Sequence, residues 1–480
     1  MTKIHDVLLS KYGEASSVSS PVNRLMTDFA VGFRDAHDIN LGVGYVNERT
    51  IPHRAIQLAC EQVLSHREKY RAALNYGGAQ GSPNLIASLR RFHIKNKIGG
   101  ITEQTLNSRD IVIGANGATS LLESITHVLP AGIVLTADPM YYIYCHNLER
   151  KGFNVIAIPE DSEGLDTERL KAKLAALGDK KTAIQFFYVV TVNNPTCTIL
   201  SNNRKRELVD IATRLSSEVG RKIPIFFDNA YSDLVHDNTV EPLVSAQCYD
   251  ELGIVYEVGT MSKILAPGLR IGYLIGSKGP FLDSIIQRTS DIGFSAPLIN
   301  QEIASYLLDH SIEAQIERVN HGYQKKAKQV KMWMAELLGD NVQEWRGGSA
   351  GFYFYLTLAN IATSSTSDFF KFLTRTTGQE DVDGPPDARH PKVIYIPGEH
   401  CVHPNGDMVE IGKRQLRISY GFEELPQIHA ALKHMKSAIT YSQENKPTDS
   451  SSASLVRSRC SSILSNLFLT TLSSLYTSTR

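Results

Sequence analysis

Along the middle of this 480-residue chain, short runs of β-branched and aromatic residues alternate with longer stretches whose apolar positions recur every three or four residues. The runs lie at 111–115, 132–138, 154–159, 183–190, 223–230 and 253–259. They are nearly continuous in apolar character, as expected of strands buried on both faces. Helical spacing at 167–178 and 204–219 supplies crossovers between them. Strands separated by helix-length segments predict an α/β fold with a mostly parallel sheet covered by helices.

The pattern changes at both ends of this region. Residues 1–39 form a polar arm with one apolar pulse, Leu25, Met26 and Phe29, in a short helix after Pro21. A large domain is expected over 40–305 and a smaller α+β domain over 306–440, with strands at 351–358, 392–398 and 415–421 and a last helix ending near Ile439. The acidic, Pro/Gly-rich insert at 377–391 reads as a solvated loop. Residues 441–480 shift to Ser and Thr and read as a flexible tail. Its segment 462–476 is amphipathic, yet its polar face bears hydroxyls without Lys or Arg, which argues against a membrane anchor.

Charge narrows the partner. Lys+Arg and Asp+Glu both number 50, so no bulk field gathers nucleic acid or an anionic membrane, and a small molecule is the expected ligand. A hydrophobic share of 42% with 21% charged residues excludes a mainly disordered or coiled-coil chain. Six scattered cysteines without a CxxC pair suit reduced thiols in a cytosolic protein. No apolar stretch precedes a small-residue cleavage site near the start, so no secretory signal is expected, and no run is long enough to span a bilayer.

The stretch Thr260-Met261-Ser262-Lys263, continuing to Arg270 and Tyr273, follows an apolar run directly. A lysine in such a turn, flanked by hydroxyls and followed by an arginine, suits a ligand with both an aldehyde and a phosphate, which describes pyridoxal 5′-phosphate. The amine condenses with the aldehyde once its surroundings lower its pKa. Arg270 offers a two-pronged clamp for phosphate, and Thr260 and Ser262 offer hydroxyl hydrogens. On its own Lys263 would be an ordinary loop lysine. Asp228 ends the apolar run 223–227, where a carboxylate is costly without a cation, and a protonated pyridine nitrogen would be that cation. Tyr231 and Asn194 are placed to hydrogen-bond the ring oxygen. The stretch 114–120, with Gly117, Ala118 and Thr119, ends a strand and opens a helix, where free N–H groups can receive phosphate, though any glycine-rich strand-to-helix turn has this look. Either Tyr141 or Tyr142, after Asp138-Pro139, offers a face for the ring.

SKxxAPGLRxGY, DNAYSDL, NNPT, GANGATSLLE and DPMYY occur together in an order and spacing that resemble the class I/II aminotransferases of the type I pyridoxal-phosphate fold, from about Asn40 to Gly421. SSPVNRLMTDF and NYGGAQGSPNLIASLR look most like the 2-aminoadipate and kynurenine aminotransferase subgroup. The resemblance implies that Lys263 carries the cofactor as a Schiff base and shuttles the Cα proton. Asp228 would pair with the ring nitrogen, Asn194 and Tyr231 would hold the ring oxygen, and Tyr141 would stack on the ring. Gly117, Ala118, Thr119, Thr260, Ser262 and Arg270 would seat the phosphate. Tyr76 would reach the phosphate of a neighbouring subunit, implying a homodimer with shared sites. Arg417 would grip the substrate α-carboxylate, with Gly44 and Asn194 beside the substrate and Arg24 as a weaker candidate for a gate. An amino acid and a 2-oxo acid would be the substrates.

Two departures from that pattern stand out. Cys197 replaces the glycine that usually follows Asn-Pro-Thr, which bears on the geometry of that turn. The stretch 398–403 differs from the usual Pro-Gly-x-x-Phe, and its His400, Cys401 and His403 fall short of the four ligands of structural zinc, so no metal is expected. Two other outcomes fit the same chain. One is a lyase of the same fold; a firmly held carboxylate argues against decarboxylation but not against elimination. The other is a ligand-sensing regulator, disfavoured by the short arm without a basic recognition helix. The donor stays open among aromatic, branched-chain and aminoadipate-like amino acids and alanine.

Overall fold

Eight strands carry the larger sheet in the computed structural model, which describes residues 7–95 and 98–445. In chain order they are β1 (Arg109–Ile113), β2 (Ile133–Asp138), β3 (Asn154–Asp161), β4 (Gly164–Leu165), β5 (Ile184–Val190), β6 (Ile225–Asp228), β7 (Val255–Thr260) and β8 (Gly272–Ser277). Their spatial order is β1-β8-β7-β6-β5-β2-β3-β4. The central run from β7 to β3 is parallel. Strand β8 is antiparallel to both of its neighbours, and β4 is antiparallel to β3. The apolar pattern does not single out β8. It follows loop 261–271, which is too short for a crossover helix, so the chain returns in the opposite direction.

The continuous apolar runs are explained by cover on both faces. In β5, Phe187 and Val189 pack with Leu208, Ala212 and Leu215 of helix Asn202–Val219. Their neighbours Phe186 and Tyr188 face the other way, onto Leu121 and Ile125 of helix Gly117–Val128.

A second sheet holds β9 (Val342–Gly347), β10 (Tyr353–Leu358), β11 (Ile396–Pro397) and β12 (Gln415–Ser419), antiparallel in the order β9-β10-β12-β11. Helices Ile312–Leu337 and Leu425–Glu444 pack on it through Val319, Tyr323, Val330, Leu432 and Met435. The last helix thus continues past Ile439 and takes in residues 441–444, which the sequence pattern assigned to the tail. The rest of that tail, with the amphipathic segment 462–476, lies outside the described residues.

The arm helix Pro21–Ala30 begins with Pro at its first position, and Ser20 caps it by accepting from Asn23 N at 3.3 Å. Its buried Val22 packs on Tyr142, Tyr355 and Ile396, which brings the arm to the edge where the two sheets meet. The insert 377–391 is mostly exposed, as expected of a solvated loop, but it is also anchored at two places. Buried Asp383 accepts from Thr377 N and Gly378 N, and Arg34 of the arm donates to the carbonyls of Arg389 and His390 while pairing with Asp38 at 2.7 Å. Among the described residues, no helix is long and apolar enough to cross a membrane.

Candidate active site

Strands β2, β5, β6 and β7 all point their carboxyl ends at one edge of the larger sheet, the edge where open α/β sheets bind ligands. The loops leaving that edge carry Tyr141, Asn194, Tyr231 and Lys263, and Asp228 is the last residue of β6. Because β8 is antiparallel, it starts at the same edge, with Arg270 just before it. Ala118, Thr119, Tyr141, Asn194, Asp228, Tyr231, Thr260, Ser262, Lys263 and Arg270 line a single cavity of about 160 Å³ there.

Lys263 reaches into the cavity and donates from Nζ to the Gly44 carbonyl at 3.0 Å. Burial, seconded by the positive charges of Arg417 and Arg270, lowers its ammonium to about pKa 8, with Asp228 acting weakly the other way. Asp228 is buried, and its carboxylate accepts from the Tyr188 hydroxyl at 2.8 Å and from Ala230 N at 3.0 Å. Burial pushes its carboxyl above the ordinary range against those two donors. Among the described residues no cation lies within 4 Å of it.

At the end of the cavity next to helix Gly117–Val128, Arg270 is fixed by donation to Asn116 Oδ1 (2.7 Å), Asn116 O (3.1 Å) and Pro267 O (3.2 Å), and it pairs with no carboxylate among the described residues. Helix Gly117–Val128 has no side-chain cap, so its opening faces the cavity through Ala118 and Thr119, while Gly117 N is spent on the Arg270 carbonyl at 2.8 Å. Gly272 makes this seat possible. A Cβ there would stand 2.1 Å from Ala118 N, so only glycine lets β8 touch the helix opening. Thr260 Oγ1 lies within donating distance of both the Ile271 carbonyl (2.9 Å) and Ser262 Oγ (3.0 Å). Both hydroxyls line the cavity.

Arg417 enters from β12. It is buried, donating from Nη1 to Asn194 Oδ1 at 2.7 Å and from Nη2 to the Gly42 carbonyl at 2.5 Å, with its plane 4.3 Å from the Tyr353 ring centroid. No carboxylate pairs with it among the described residues, and Nε has no partner. A buried guanidinium without a carboxylate partner is suited to an anionic ligand. Since Arg417 occupies Asn194 Oδ1, the amide nitrogen of Asn194 is the end left to serve a ring oxygen.

Not every expected residue joins this cluster. Tyr76 is 83% exposed and lies with Phe294 on a separate hollow of about 700 Å³. Arg24 lines another cavity beside Asp28 and Lys392. Cys197 keeps the left-handed turn expected of glycine, with φ +52°, its buried thiol pushed up to about 12. His403 turns to Glu149 at 3.1 Å while Cys401 is buried beside the arm helix, and no metal-binding group forms among the described residues. Two contributors escaped the sequence reading: Tyr188, which bonds Asp228, and Tyr353, whose hydroxyl lies 3.0 Å from that of Tyr231. Both sit inside strands and read there as core aromatics.

The donor set fits pyridoxal 5′-phosphate. A partly neutral amine, a buried carboxylate without a cation, an amide and a phenol for a ring oxygen, an aromatic face and a cationic seat at a helix opening converge on one cavity. Comparison with known proteins agrees. The family model "Aminotransferase class I and II" matches residues 36–378. A kynurenine/alpha-aminoadipate aminotransferase of Bos taurus is 24% identical over 340 residues, covering 67% of this chain and 78% of that protein. The uncharacterized HTH-type transcriptional regulator YisV of Bacillus subtilis is 24% identical over 402 residues, covering 82% of this chain and 72% of that one. The crystal structure of a Pyrococcus horikoshii kynurenine aminotransferase in complex with PMP superimposes with a TM-score of 0.74 at 24% identity, covering 90% of this chain and 97% of that one. With most of its length matched in this way, the chain belongs to the class I and II aminotransferase family.

Proposed function

We propose that this pyridoxal-phosphate-dependent aminotransferase moves the amino group of an L-amino acid to a 2-oxo acid with Lys263 as its proton carrier, Asp228 at the ring nitrogen and Arg417 on the substrate carboxylate. The observation that carries the reading is the convergence of a lowered-pKa amine and a buried carboxylate without a cation on one cavity, with a buried arginine bonded to the cavity-lining Asn194. The bound cofactor supplies an aldehyde that takes the amino group and a ring that draws off the electrons left at the substrate Cα. Lys263 Nζ, neutral in part near neutral pH, takes the Cα proton and returns it. Arg417 presents its guanidinium edge to the α-carboxylate, and Asn194 holds that edge in place through Oδ1. Asp228, braced by Tyr188 and Ala230, keeps a positive charge at the ring nitrogen. Thr260, Ser262, Arg270 and the amides of Ala118 and Thr119 seat the phosphate, and Tyr141 covers the ring.

A panel of donors, led by kynurenine and 2-aminoadipate in view of the bovine relative and including aromatic and branched-chain amino acids and alanine, tests this with 2-oxoglutarate and pyruvate as acceptors. Oxo acid is expected from the donor only when an acceptor is present. Ammonia released from a single amino acid would instead mark a lyase, and binding of donors with no turnover would mark a sensor.

Two copies sharing their sites complete the reading. Tyr76 and Leu74, 83% and 81% exposed, flank the hollow that also holds Ala115, next to the Asn116 that anchors Arg270. A sedimentation mass of twice the chain is expected, and a monomer retaining full cofactor affinity would exclude a shared phosphate seat. The five cysteines among the described residues are free thiols, which supports a reducing compartment such as the cytosol.

A further inference from the structure

Tyr353 has no place in the roles assigned above, yet it touches three of them. It lies on β10 opposite Ser419 of β12, and the diagonal neighbour on that face is Arg417, whose guanidinium covers its ring at 4.3 Å. Its hydroxyl lies 3.0 Å from that of Tyr231 and has no other partner among the described residues. It also presses on Gly44, where a Cβ would stand 2.7 Å from the Tyr353 oxygen. Glycine at 44 is therefore the residue that admits this hydroxyl beside the carbonyl bonded by Lys263.

Two hydroxyls in contact share one hydrogen and leave the other free. We propose that Tyr353 is a positioning residue that sets this order: its hydroxyl donates to Tyr231 Oη, so that Tyr231 spends its own hydrogen on the ring oxygen of the cofactor. The inference rests on the reading of Tyr231 as a ring-oxygen donor.

The direction follows from Arg417. A cation over the face of Tyr353 draws electron density from its oxygen and makes it the more acidic member of the pair. The more acidic hydroxyl donates, and a hydroxyl that accepts a hydrogen bond becomes a stronger donor in turn. The other titratable groups facing the pair are Lys263 after β7, Tyr141 and Tyr142 after β2, Cys197 after β5 and Tyr323 of helix Ile312–Leu337, and among the described residues none bonds to either hydroxyl.

Titrating the absorption of the pyridoxal-phosphate-loaded protein against pH reads the strength of donation to the ring oxygen. Weaker donation leaves that oxygen and the lysine nitrogen beside it more basic, so the apparent pKa rises. Tyr353→Phe is expected to raise it by about half a pH unit, roughly a threefold gain in proton affinity. Tyr231→Phe should raise it further, and the double variant should match Tyr231→Phe alone, because Tyr353 acts only through Tyr231. A Tyr353→Phe shift that persists in full in the Tyr231→Phe background would overturn the relay, as would a Tyr231→Phe shift with none for Tyr353→Phe. If Tyr231→Phe itself leaves the titration unmoved, the assignment of Tyr231 fails and the relay with it.

Discussion

Lys263→Ala lowers the rate of amino transfer by at least about a thousandfold while the protein still folds and binds pyridoxal phosphate. The size combines loss of a positioned general acid–base, about 10²–10⁴-fold by itself, with loss of the attachment of the cofactor to the protein. Alanine keeps the backbone of loop 261–271 and leaves Arg270, Ser262 and the helix opening to hold phosphate. Single-turnover formation of oxo acid from a bound donor measures the rate, and absorption of the loaded variant shows whether cofactor is present. Turnover within tenfold of the unaltered protein would remove Lys263 from the chemistry. The lowered amine pKa gives the same residue a second signature. At pKa about 8, roughly a tenth of Lys263 is neutral at pH 7, against fewer than about one in a thousand for an ordinary lysine. Capture of pyridoxal phosphate by cofactor-free protein therefore rises with pH through about 8 and levels off above it, falling close to tenfold per unit below.

Arg417→Ala weakens use of every amino acid donor through its carboxylate. Removing one member of a buried, hydrogen-bonded charge pair costs about 2–5 kcal/mol, so kcat/KM falls by about thirtyfold to several thousandfold, chiefly through KM. Arg417→Lys restores the charge without the fork that meets both carboxylate oxygens, and recovers only part of the loss. The positive charge of Arg417 is also one cause of the low pKa of Lys263. Its removal moves the midpoint of cofactor capture to higher pH, a readout independent of substrate. An apparent donor affinity unchanged in Arg417→Ala would exclude the carboxylate role.

Much of this architecture is legible in the sequence for one reason: residues that break an apolar run stand out. Asp228 after Ile225-Phe226-Phe227 and Lys263 after β7 are costly where they are, and their cost is the signal. Strand β8 hid because its glycines dilute the apolar pattern and because it trails the loop that carries Lys263 and Arg270. Tyr353 hid for the opposite reason, since a tyrosine in an aromatic strand reads as packing, and its partner Tyr231 lies 122 positions away. The same distance concealed the hold on the insert, where Arg34 meets His390 across 356 positions. The contact of Thr260 Oγ1 with the Ile271 carbonyl was equally hidden, because it depends on the return of β8.

The proposed phosphate seat and the proposed carboxylate grip are built on separate supports. One is locked by backbone against backbone where Gly272 meets Ala118, on the larger sheet; the other is a side chain projecting from β12, on the smaller. Mutations that reshape the smaller sheet or the arm can therefore alter which donor is accepted and leave the hold on the vitamin-derived group as it was. A lineage with this layout is free to wander among substrates without first losing its chemistry.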